Sequence, residues 1–150
     1  MSQNQTEGRS SVLVIDDDDL MRKMLQDQLE ESGFRVITAS NGRQGISHLS
    51  EHDISLVIAD LVMPEMDGVE FCKKVRGSEE YKNLPLILLT GRNDLGDGVN
   101  PFQVGADDYL NKPVDPVELV HRIQSHIVKR EAYLKLESQA RDNETLLEIA

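Results

Sequence analysis

What this chain lacks narrows its function before any motif does. It has no tryptophan and only 4% aromatic residues, and 16 basic residues face 27 acidic ones, a formal charge of -11. A surface so short of Lys and Arg has little with which to neutralise phosphates, so this portion is not expected to bind nucleic acid directly. The single cysteine, Cys72, excludes an intrachain disulfide. It lies beside Phe71 and Val75 on one arc of an expected helix, which favours a small core residue over a reactive thiol. The longest apolar runs, such as Leu86-Ile87-Leu88-Leu89, are far too short to cross a bilayer. Residues 1–10 form a polar tail without the apolar stretch of a signal peptide. The expectation is a cytoplasmic protein with no membrane partner. No Gly-x-Gly-x-x-Gly follows the first apolar run at residues 12–15, so the dinucleotide fingerprint is missing as well.

What is present is enough for one ordinary domain. The 150 residues are 39% hydrophobic and 29% charged, a globular balance with sufficient apolar content for a core. Val12-Leu13-Val14-Ile15 reads as a strand buried on both faces and ends in Asp16-Asp17-Asp18-Asp19. Leu20, Met21, Met24, Leu25 and Leu29 then recur at helical spacing up to a stop at Gly33. A strand is expected over 34–38 and a modest helix over 41–50, with Ile46 and Leu49 inward and Gly42 and Gly45 weakening it. The apolar run from Ile54 makes a third strand closed by Asp60, followed by Met63-Pro64-Glu65-Met66-Asp67-Gly68 and a helix over 69–76. Further strands are expected at 85–90 and 109–111, and a helix starts at Asp115-Pro116, with Asp115 as N-cap. Strands alternating with helices give βαβ units. The fold expected is α/β: a doubly wound, five-stranded parallel sheet of order 2-1-3-4-5, flavodoxin-like, with an extended C-terminal helix.

That order places the ends of strands one and three side by side, so Asp16, Asp17 and Asp60 converge. Alone, Asp60 reads equally well as a turn cap. Converging carboxylates repel, and a hard divalent cation, Mg²⁺ with Mn²⁺ as a substitute, is the simplest remedy. Such a cation would shield an incoming phosphoryl group and let the Asp60 carboxylate attack it. Thr90 and Lys112, at the ends of strands four and five, offer the hydroxyl and ammonium that phosphoryl oxygens require. Each alone has a bland alternative, a strand-end cap or a surface charge.

The chain resembles the receiver domains of two-component response regulators over about residues 11–130. The resemblance rests on Val14-Ile15-Asp16-Asp17-Asp18, Asp60 with Met63-Pro64 and Met66-Asp67-Gly68, Leu89-Thr90-Gly91, Gly105-Ala106-Asp107-Asp108-Tyr109 and Lys112-Pro113. It implies that Asp60 is the phosphoacceptor, charged by a sensor histidine kinase or a phosphotransfer protein. Asp17 is then a direct Mg²⁺ ligand, Asp16 assists through water, and Val62 contributes its backbone carbonyl. Thr90 and Lys112 hold phosphoryl oxygens, Tyr109 turns inward when Thr90 moves, and the Lys112-Pro113 bond is cis. Asp18 and Asp19 are left as solvated helix-start charges. A domain of this kind is a phosphoacceptor switch rather than an enzyme, its only chemistry being its own phosphorylation and dephosphorylation, although an output domain could be enzymatic.

Two segments depart from the pattern or extend beyond it. Where the family has its fourth helix, residues 93–104 contain Gly96, Gly98 and Pro101, so a short, shifted or partly unwound helix is expected. Val62 and Arg92 stand at positions that tune phosphoryl lifetime in the family. Val117, Val120, Ile123 and Ile127 are expected to dock the fifth helix, which continues helix-friendly through 131–150. Tyr133, Leu136, Ala140, Asn143, Leu147 and Ala150 follow three- and four-residue steps, one coiled-coil seam. A signalling helix, or a homodimer through it or through the fourth and fifth helix face, is weighed against a solvated, frayed helix. The lack of a helix stop at Ala150 suggests a fragment of a longer protein. Two other functions stand against the switch. A haloacid-dehalogenase-like phosphatase would need a second Asp where Val62 stands, and a phosphorylation-independent pseudo-receiver, a binding module, normally loses one of the residues retained here.

Overall fold

Alternation along the strands explains the architecture. Leu13 and Ile15 point to one face of the sheet while Val12 and Val14 point to the other, and each set joins a separate apolar cluster. The computed structural model describes residues 10–91 and 104–149. Five strands, β1 (Ser11–Ile15), β2 (Arg35–Ala39), β3 (Leu56–Asp60), β4 (Leu86–Thr90) and β5 (Asp108–Asn111), form one parallel sheet. Its order is β2-β1-β3-β4-β5, as expected. The helices are α1 (Asp19–Glu31), α2 (Gly42–Glu51), α3 (Gly68–Arg76) and α4 (Pro116–Ile149). Leu25 and Leu29 of α1 and Leu119 and Ile123 of α4 cover the face of Val12, Val14, Ile58 and Ile87. Leu49 of α2 and Phe71, Cys72 and Val75 of α3 cover the face of Leu13, Ile15, Val57 and Leu86. Cys72 donates its S–H to the Val104 carbonyl at 3.3 Å, and burial pushes the thiol up, so it is a core residue as anticipated.

Local chemistry sets the helix ends. The Asp18 carboxylate accepts from the Leu20 and Met21 amides, so it is the N-cap of α1 rather than a merely solvated charge. Asn41, Asp67 and Asp115 do the same for α2, α3 and α4. Gly68 is required for a different reason. A Cβ there would lie 2.7 Å from the Asp60 carbonyl oxygen and 2.9 Å from Leu61 Cα, so only glycine lets α3 begin against the end of β3.

Two apolar assignments are corrected. Leu20 is 72% exposed and Met24 is also exposed, because the buried stripe of α1 runs through Leu25 and Leu29, one residue further round. Val117 is 64% exposed; the docking stripe of α4 is Leu119, Ile123 and Ile127, four residues apart, with Val120 at its margin. The glycines expected to weaken α2 serve packing, since a Cβ on Gly45 would collide with Ile15 Cδ1. The atypical helix anticipated over 93–104, together with Arg92, lies outside the described residues apart from Val104, which is buried. Helix α4 continues beyond the domain with Tyr133, Leu134 and Leu136 exposed. Among the described residues no helix is long and apolar enough to cross a membrane.

Candidate functional site

Strand register builds the site. Ile15 pairs with Ala59, so the next residues, Asp16 and Asp60, leave neighbouring strands at the same level. Asp60 pairs with Leu89 and Thr90 with Asn111, which brings Thr90 and Lys112 to the same carboxyl edge of the sheet. The expected convergence is therefore present: one ligand atom from each of Asp16, Asp17 and Asp60 lies within 4.8 Å of the others. Asp60 is 5% exposed, and Lys112 Nζ donates to its Oδ2 at 2.7 Å, while the Val62 amide reaches Oδ1 at 3.3 Å. Thr90 is buried, and its hydroxyl donates to Asn111 Oδ1 at 2.9 Å. Val62 carries an exposed side chain, so that position is free to vary in side-chain chemistry. Tyr109 is half-buried against the cluster that holds Cys72, and burial raises its phenol pKa. The Lys112-Pro113 bond is cis.

Asp16 is the under-satisfied member. Its side chain is wholly buried; Oδ1 accepts from the Asp18 amide at 2.9 Å, but Oδ2 has no partner. Burial pushes its pKa up to about 6, the Asp18 amide lowers it, and the nearby Asp60 carboxylate raises it again. A buried anionic oxygen without a donor, facing two more carboxylates, is a good match for a small hard cation, whose preferred ligands are carboxylate, carbonyl and water oxygens. The residues present thus fit a divalent ion of the Mg²⁺ type.

Sequence reasoning did not reach two supporting groups. Arg22 Nη1 donates to the Asp16 carbonyl at 2.7 Å and Nη2 pairs with Asp19 at 2.5 Å, which fixes the turn that carries the acidic pair. An Arg one helical turn after an acidic run is a common surface pair, so its sequence signal is weak. Asn111 engages the Thr90 hydroxyl, and only the strand register reveals that contact.

The comparisons with known proteins agree with this geometry. The response regulator receiver domain model matches residues 12–124. The chain belongs to that family. This receiver is 39% identical over 134 residues to a probable transcriptional regulator, ycf27, of Cyanidium caldarium, covering 87% of this chain and 53% of the relative. The response regulator Rre1 of Synechocystis sp. is 37% identical over 123 residues, covering 81% of this chain and 53% of Rre1. The receiver thus spans about half the length of the curated relatives it matches. Among solved structures, the response regulator receiver domain protein from Clostridium thermocellum superposes with a TM-score of 0.76 at 29% identity, covering 83% of this chain and 98% of that one. A putative response regulator from Chloroflexus aurantiacus gives 0.74 at 33% identity, covering 80% and 98%. The chain is a signalling domain of two-component systems, as its motifs implied.

Proposed function

We propose that this receiver accepts a phosphoryl group on Asp60 from a histidine kinase or phosphotransfer protein and uses it to control an output outside this portion. The observation that carries the reading is the buried Asp60 carboxylate held between the Asp16-Asp17 pair and Lys112 Nζ at 2.7 Å. A carboxylate oxygen of Asp60 attacks phosphorus, the P–N bond of the phosphohistidine breaks, and the imidazole leaves with the bonding pair. Asp17, Asp60 and the Val62 carbonyl would hold Mg²⁺, with Asp16 assisting through water; Mn²⁺ suits the same oxygen donors. When bound, the ion supplies charge neutralisation for the incoming phosphoryl oxygens. Lys112 already sits on the acceptor and follows the charge as it moves onto the phosphoryl group. The Thr90 hydroxyl exchanges Asn111 for a phosphoryl oxygen, and the half-buried Tyr109 turns further inward in response.

All five residues of the acceptor site are present, which speaks against the pseudo-receiver reading. The receiver unit occupies residues 11–130. The extension over 131–150, in which α4 runs to Ile149, acts as a signalling helix, and the exposed Tyr133 and Leu136 support self-association along it. Its reading as a cytoplasmic protein is supported by the acidic composition and by the chemistry of the phosphohistidine donor. The test is incubation with acetyl phosphate and Mg²⁺, read by intact mass. One phosphoryl group is expected on the native chain and none on Asp60→Asn; full modification of that variant overturns the assignment. Removing residues 131–150 is expected to lower self-association in sedimentation, and identical profiles count against the helix as a dimer element.

A further inference from the structure

At the opposite end of the sheet from Asp60, the last turn of α2 and its C-cap residue carry His48, Glu51 and His52. Their spacing of three and four residues places all three on one side of the helix. One ligand atom from each lies within 4.8 Å of the others. The two imidazole centroids are 5.5 Å apart with the rings tilted by 51°, so they are not stacked. His48 Nδ1 is buried yet has no hydrogen-bond partner, and Glu51 Oε2 stands 3.9 Å from it, beyond hydrogen-bonding reach. The scaffold beneath is anchored, since Leu49 is buried and its carbonyl accepts the Tyr81 hydroxyl at 2.7 Å.

From this arrangement we infer that His48, Glu51 and His52 form a second metal site, selective for a borderline divalent transition ion such as Zn²⁺ or Ni²⁺. Two imidazoles and one carboxylate are the donors such ions take, whereas Mg²⁺ prefers oxygen alone. A tetrahedral ion with bonds of about 2.0–2.2 Å holds its donors roughly 3.4 Å apart. Glu51 and His52 are exposed and can close that gap by side-chain rotation. Ligation gives the orphaned His48 nitrogen its missing partner. Three protein ligands leave a coordination position open to water or to a donor from another molecule. The site lies two residues before Ile54, whose carbonyl, with that of Ser55, faces Arg130 Nη1 at 3.4 Å, so it adjoins the point where α4 leaves the domain.

The test uses the full chain with saturating Mg²⁺, which occupies the carboxylate crevice, and titrates ZnCl₂ by calorimetry and by imidazole NMR. The expected result is one further equivalent of Zn²⁺, with resonances of His48 and His52 shifting while those of His121 and His126 stay in place. His52→Ala and, separately, Glu51→Gln should each weaken binding at least tenfold and leave phosphorylation of Asp60 unchanged. Both are exposed positions that the fold tolerates. Equal affinity in His52→Ala, or binding that disappears only in Asp17→Asn, overturns the assignment.

Discussion

Two pairs of adjacent aspartates sit at opposite ends of the same sheet and are treated in opposite ways. Asp107 and Asp108, where β5 begins, are saturated with donors. Asp107 Oδ2 accepts from Arg76 Nη2 and the Leu86 amide, each at 2.8 Å, and Asp108 meets Arg122 at 3.1 Å, His126 at 3.0 Å and the Tyr109 amide at 2.9 Å. Asp16 and Asp17, just past the end of β1, have a third carboxylate for company and a buried oxygen with no donor. Burial acts to raise both Asp16 and Asp108. At Asp108 the bonds from His126 and Tyr109 and the charge of Arg122 outweigh it, so the pKa falls, whereas at Asp16 it rises to about 6. The first pair stabilises the fold. The second leaves a buried carboxylate under-satisfied beside two others, at the expense of stability.

The largest effect is expected where the saturated pair depends on one side chain. Arg76 donates to the carbonyls of Gly105, Lys82 and Leu84 as well as to Asp107. Its removal strands several acceptors and an anion, so Arg76→Ala should lower unfolding free energy by about 3–4 kcal/mol in urea titrations. A loss below about 1 kcal/mol would show that water replaces the guanidinium and that the two ends differ less than their geometry indicates. Second in size is the response to Mg²⁺. At a hundredfold excess over its dissociation constant, the ion should stabilise the native chain by about 2.7 kcal/mol. Asp17→Asn should lose most of that gain; an equal gain would remove Asp17 from the ligand set.

Replacing the under-satisfied carboxylate should make the Mg²⁺-free domain more stable. A carboxyl raised from 3.8 to about 6 carries a penalty that is absent below pH 3.8, grows through the interval and is complete above pH 6. The shift corresponds to about 3 kcal/mol at most, and Asn keeps an oxygen for the Asp18 amide, so Asp16→Asn should gain about 2 kcal/mol at pH 7 and nothing at pH 3.5. A gain that does not depend on pH would locate the penalty in packing rather than in charge.

How far the molecule can be read without its structure follows the same division. The sheet order, the strand ends and the convergence of Asp16, Asp17 and Asp60 follow from local punctuation and apolar runs, because the three central strands, β1, β3 and β4, are buried throughout and nearly continuously apolar. The phase of the helices was harder to read. Leu20 and Val117 are apolar and helically spaced, yet they stand in solvent, because composition cannot distinguish adjacent positions on a helix when both are hydrophobic. Asp107-Asp108 was visible as part of a motif, but its role was not. Its partners Arg76, Arg122 and His126 come from α3 and α4, and only packing brings them together.

The smallest predicted effect probes the saturated pair from its weaker side. Asp108 owes its depressed pKa to several donors, so losing one should shift it without freeing it. A depressed carboxyl adds stability above its ordinary pKa, and that stability is lost as the pH falls through the folded value. His126→Ala removes a bond of 3.0 Å but leaves Arg122 and the Tyr109 amide in place, so the cost at pH 7 should be about 1 kcal/mol. Because the folded pKa then moves back toward the ordinary value, the acid limb of the stability curve should start near the ordinary carboxyl value in both chains but be shallower, and end at higher pH, in the variant. Urea midpoints measured between pH 3 and pH 7 would resolve this. An acid limb that does not move would mean that Arg122 and the amide alone hold the Asp108 carboxylate, and that His126 serves only to pack α4 against β5.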